Sequence, residues 1–121
     1  MATVREFLDR GEELLVALQH NAWQQREALI ALRVGAVEAL AAQQEILLRQ
    51  LELWQQQGAE LFEQIQKQEE LRQRWERLRL QAQEVRRLLQ LNRLLAQRAQ
   101  QHTLELLTAL LPDGHVYNRQ A

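Results

Sequence analysis

LRQRWERLRLQAQEVRRLLQLNRLLAQRA, residues 71–99, is the stretch whose reading decides the fold. Within it Leu71, Trp75, Leu78, Ala82, Val85, Leu89, Ala96 and Ala99 keep a seven-residue frame, which Leu106 and Leu110 extend. No glycine or proline interrupts it. A heptad sustained that long describes a helix whose apolar seam lies along a neighbour. Asn92 is the polar residue on this seam, where a lone Asn fixes register or helix count at some cost in stability.

Moving toward the N-terminus, the same 3–4 spacing recurs twice. Val37, Leu40, Leu47, Leu51, Trp54, Leu61 and Ile65 form one stripe. Leu8, Leu15, Leu18, Ala22, Leu29 and Leu32 form another, with Phe7, Leu14 and Ala28 beside them. Breaks between the stripes are few. Val34-Gly35 is the first turn, because Gly costs about 1 kcal/mol in a helix interior and tolerates positive φ. The frame next changes between Ile65 and Leu71, which places a second turn near residues 66–70. Gly58 lies inside an unbroken frame and reads as a kink at most. Pro112-Asp113-Gly114 stops the last helix and opens a tail. The expectation is an all-α bundle of three long antiparallel helices near 3–33, 36–66 and 69–111, the third longest. Residues 112–121 are expected to form a short flexible tail.

The composition agrees. Of 121 residues, 46% are hydrophobic and only 5% aromatic, with four Gly and one Pro, so strand and turn chemistry is nearly absent. There is no Cys, which excludes disulfides and thiolate sites and suits a reducing compartment. Arg5, Glu6, Asp9 and Arg10 deny the N-terminus the apolar run of a signal peptide. No run approaches the roughly 18 apolar residues of a membrane span. The chain reads as cytoplasmic, without membrane insertion.

Net charge is −1, unevenly spread: residues 1–66 hold ten acids and five bases, residues 67–98 four acids and nine bases. A basic helix packed beside acidic ones accounts for this better than a nucleic-acid stripe of Arg72, Arg74, Arg77, Arg79, Arg86 and Arg87, since acids interleave the arginines. Catalytic and metal chemistry leave no trace. Ala17, Ala99 and Pro112 stand three residues before His20, His102 and His115, so no Glu-x-x-His pair exists. There is neither a zinc-spaced cluster nor a Gly-rich phosphate loop. The chain reads as a non-enzyme without cofactor or metal.

One feature points outward. If the helices run up, down and up, residues 100–111 overhang the other two. Leu106 and Leu110 continue the seam, while Leu104, Leu107 and Leu111 form a separate stripe. A helix apolar on two faces with no partner in its own chain serves a second copy or a partner's helix.

The C-terminal stretch Leu91-Asn92-Arg93-Leu94-Leu95, its apolar continuation to Leu111, and the Pro-Asp-Gly tail with Tyr117-Asn118 resemble flagellar export chaperones of the FlgN type. Gln25-Arg26-Glu27-Ala28-Leu29, the Val34-Gly35 turn, Ala36-Val37-Glu38-Ala39-Leu40 and Glu45-Ile46-Leu47-Leu48 extend the resemblance over nearly the whole chain. Leu89 stands where that family often carries a second Asn. The resemblance implies a cytosolic type III export chaperone. It would bind the helical C-terminal ends of hook–filament junction proteins through Leu104, Leu107 and Leu111, and dock on the export-gate component FlhA through Tyr117. The contrasting expectation is a coiled-coil spacer resembling a spectrin-type repeat, which would use its leucines internally.

Overall fold

A computed structural model describes residues 3–111. Over that range the chain is all-α, a bundle of three helices: α1 (Val4–Ile30), α2 (Val34–Lys67) and α3 (Glu69–Leu110), the last being the longest. The second turn falls where the change of frame puts it, and it consists of Gln68 alone, extended at φ −119° and ψ 130°.

The helix ends follow local chemistry. Thr3 and Glu6 form a capping box: the Thr3 hydroxyl accepts from the Glu6 N–H at 3.1 Å, and the Glu6 carboxylate accepts from the Thr3 N–H at 3.3 Å. The first turn departs from expectation. It is built from Ala31, Leu32 and Arg33, while Gly35 lies inside the first turn of α2. Leu32 takes the left-handed conformation, φ 55°. Its N–H donates to Leu29 O at 3.2 Å, and the Arg33 N–H donates to Ala28 O at 2.9 Å. That pair of bonds is a Schellman closure, usually built on Gly. Glycine was read as the turn-maker because it is the cheapest residue at positive φ, yet here an exposed leucine takes that role.

Long-range contacts set the directions. Arg74 meets Asp9 at 2.7 Å and Asn92 donates to Ala22 O at 2.8 Å, so α3 runs parallel to α1. The Trp54 indole N–H donates to Phe7 O at 2.7 Å and the Asn21 amide donates to Leu40 O at 2.9 Å, so α2 runs antiparallel. α1 is the central helix. Its buried positions include Phe7, Leu14, Leu18 and Ala28 on one stripe, with Leu8, Leu15 and Ala22 on another, so it can serve two neighbours.

The core is densest near the α2–α3 turn. Phe7 stacks on Trp54 with centroids 4.5 Å apart and planes 7° from parallel, and Trp75 lies 6.0 Å from Trp54. Phe62 meets Trp75 edge-on at 6.3 Å. Two glycines make room for this stack. A Cβ on Gly11 would overlap the Trp54 ring, and one on Gly58 would lie 2.7 Å from the Phe7 ring. α2 therefore continues through Gly58, whose missing side chain is a packing device and no helix break.

Surface ion pairs link α3 to its neighbour and to itself. Arg74 sits between Asp9 and Glu12, and Arg5 meets Glu70 at 2.8 Å. Hydrogen bonds from Arg5, Arg79 and Arg87 hold the carboxyls of Glu70, Glu76 and Glu84, respectively, below the usual carboxylate range. Three of the six arginines considered for a nucleic-acid stripe, Arg74, Arg79 and Arg87, thus have carboxylate partners.

Candidate helix-binding groove

α2 and α3 both pack along α1 and approach one another through Trp54, Phe62 and Trp75 near their shared turn. Away from that end they leave a groove of about 650 Å³, floored by Leu15, Leu18 and Gln25 of α1. Its walls are Val37, Ala41 and Leu48 of α2, and Ala82, Leu89 and Ala96 of α3. Leu15, Leu51 and Ala82 are shared with a recess of about 240 Å³ at the tryptophan end. Leu29, Val37 and Ala96 are shared with another of about 420 Å³ that ends at Leu104. The three form one trough running from Trp75 to Leu104.

Several seam positions prove to be trough walls. Ala82 and Ala96 are exposed, and Leu89 is half-buried where the heptad frame expects core like Leu78. The side chains buried on α3 are instead Leu71, Leu78, Val85, Leu88 and Asn92. On α2 only Trp54, Gly58 and Ile65 are buried. α1 packs along both other helices, while α2 and α3 meet only near their shared turn, which leaves the trough open on the side opposite α1.

The floor is not wholly apolar. Gln25 donates to Asn21 Oδ1 at 2.8 Å and also to Gln44 Oε1, and Asn21 donates to Gln43 Oε1 at 3.0 Å. Gln25, Gln44 and Asn92 all line the trough. Asn92 is buried and is held by its bond to the Ala22 carbonyl. Asn21 and Gln25 are not among the residues singled out from sequence, although Leu14, Leu18, Asn21, Gln25 and Ala28 form an unbroken 3–4 stripe. Two polar residues on so regular an apolar stripe were the available signal.

The three leucines assigned to a client lie on the surface. Leu104 and Leu107 are each 53% exposed and Leu111 is 57% exposed. Stepping by three or four from Leu89 through Arg93, Ala96 and Gln100 leads to Leu104, Leu107 and Leu111, so they prolong the α3 wall of the trough. Leu104 lines its end. Residues 101–111 are exposed throughout, and Leu106 and Leu110 have no neighbour to bury them. Tyr117, assigned to the export gate, lies outside the described residues.

Among the described residues no group of three or more His, Cys, Asp or Glu side chains could hold a metal ion. Among the described residues no helix is long and apolar enough to cross a membrane. No protein-family model, curated protein or solved structure matches the chain.

Proposed function

We propose that this chain is a helix-capturing chaperone of the FlgN type, which binds the helical C-terminal ends of flagellar hook–filament junction proteins in the cytoplasm and passes them to the export gate. One observation carries the helix-capture part of this reading: an apolar trough opposite α1 that continues into the exposed leucines Leu104, Leu107 and Leu111. An amphipathic client helix laid there would bury its apolar face, as in helix-in-groove recognition. Each anchoring leucine would contribute about 1–3 kcal/mol. The flagellar client and the docking of Tyr117 on FlhA rest on the sequence resemblance. A structural spacer has less support, since such a chain would use its leucines internally and these stand open.

Size-exclusion chromatography with light scattering on mixtures with hook–filament junction proteins tests the proposal. The expected result is a 1:1 complex, lost in a Leu107→Ala/Leu111→Ala variant whose melting temperature is unchanged. No complex with any such protein would sink the flagellar assignment. A complex that survives the double substitution would move the client surface elsewhere.

A further inference from the structure

The trough has two walls of opposite charge. On α2, Glu38 lines the end near Ala96 and Gln100. Glu45 and Glu52 follow at intervals of seven. Glu45 lies four residues after the wall residue Ala41 and three before Leu48; Glu52 lies four after Leu48 and three before Gln55. Helical spacing therefore strings the three carboxylates along the outer edge of the α2 wall, about 10 Å apart. On α3, Arg79, Arg86 and Arg93 recur at the same interval, and each lines the trough directly.

Most of these charges are uncommitted. Among the described residues, Arg86, Arg93, Glu38 and Glu52 have no oppositely charged group within 4.0 Å, whereas Arg79 is bound to Glu76. Glu45 has only Arg49 at 4.0 Å. Arg72, Arg77 and Arg98 of α3 likewise have no carboxylate within 4.0 Å among the described residues, so it is placement on the wall that singles out Arg79, Arg86 and Arg93. The two rows, acidic on α2 and basic on α3, flank an apolar floor. They match the edges of one further helix.

We infer that the trough takes a single amphipathic helix whose apolar stripe faces α1, with a row of acids along the edge facing Arg79, Arg86 and Arg93 and a row of bases along the edge facing Glu38, Glu45 and Glu52. The inference rests on the reading of this face as a helix-capture surface and specifies the helix captured. Because the two edges differ, the charge pattern also sets direction. A helix with acids on one edge docks one way round, and its edge-swapped counterpart docks reversed. A second copy of the chain is the poorer occupant, because two concave troughs placed face to face leave a void between them.

Four three-heptad peptides with a common leucine stripe provide the test: two with one Glu edge and one Lys edge, in either order, one with Lys on both edges, and one with Glu on both. Titrated into the full chain at low salt, the two sorted peptides bind about tenfold or more tighter than the uniform ones, an advantage that shrinks as salt is raised. A nitroxide on the peptide N-terminus broadens the Trp75 indole resonance with one sorted peptide and the Leu104 methyls with the other. In an Arg86→Glu/Arg93→Glu variant both walls are acidic, and the all-Lys peptide becomes the best ligand. Four affinities within threefold of each other, or broadening at the same end for both sorted peptides, overturns the inference. So does a dimer that admits no peptide. Sorted binding without any complex with junction proteins removes the flagellar reading and leaves this one standing. Junction proteins bound with no sorting among peptides does the reverse.

Discussion

Replacing Gly11 by Ala tests the packing at the closed end of the bundle most directly. By helix propensity alone the change stabilises α1 by about 1 kcal/mol. The structure opposes it, since the added Cβ overlaps the Trp54 ring. Two contacts oppose its movement: it stacks 4.5 Å from Phe7 and its N–H is bound to Phe7 O at 2.7 Å. Shifting it costs about 1–3 kcal/mol in overpacking, and about 1–3 kcal/mol more if the buried hydrogen bond breaks. Offset by the propensity gain, a net loss of about 1–5 kcal/mol is expected with that bond broken, lowering the melting temperature by roughly 4–20 °C at about 4 °C per kcal/mol. Circular dichroism melts of Gly11→Ala, Trp54→Leu and the double variant check this. With the indole gone, Gly11→Ala turns from destabilising to neutral or better. Gly35→Ala is the control, because nothing lies within 4 Å of its added Cβ and only the propensity gain remains. A Gly11→Ala protein as stable as the parent, or a loss that persists without Trp54, would refute the argument.

Leu32→Gly relieves a left-handed leucine that is 68% exposed and so surrenders little burial. A gain of about 0.5–1 kcal/mol in urea unfolding is expected, and a loss would mean that the side chain is needed where it stands. Leu78→Ala removes a buried side chain and costs about 2–5 kcal/mol, whereas Leu89→Ala, half-buried in the trough wall, costs about 1–2 kcal/mol; equal losses in chemical denaturation would close the trough. Glu70, Glu76 and Glu84 have folded pKa values below the ordinary range, through hydrogen bonds from Arg5, Arg79 and Arg87. Their contribution is complete above the unfolded carboxylate pKa of about 4.3 and is lost as pH falls through the depressed values. In thermal melts across that window, a Glu70→Gln/Glu76→Gln/Glu84→Gln variant loses less stability than the parent, and identical pH profiles would show the pairs to be idle.

Much of the fold was legible because helix formation is written locally. The seven-residue frame from Leu71 onward, the change of frame after Ile65 and the stop at Pro112 placed the three helices to within a few residues. The first turn was misplaced for a local reason. Gly35 has the residue type of a turn, yet the turn closed on Leu32 because the last carbonyls of α1 needed partners there. Gly58 was read as a kink at most and α2 runs through it, but its reason for being glycine is nonlocal: Phe7, 51 residues away, occupies the space of its missing Cβ. The exposure of Leu104, Leu107 and Leu111 was foreseeable from helix lengths alone. The trough was not, since a heptad seam looks the same whether its own chain closes it or a partner must.

The sequence alone determined that there would be three helices, where they would end, that the third would outrun the others, and which face of each would be apolar. These follow from periodicity, propensity and breakers acting within a few residues. Only the tertiary structure decided that α1 would be central and that Ala82, Leu89 and Ala96 would line an open trough. Only it set the glutamates of α2 and the arginines of α3 as opposing edges. Those outcomes depend on how three amphipathic surfaces divide their contacts: α1 buries two stripes against its two neighbours, which meet each other only near their shared turn.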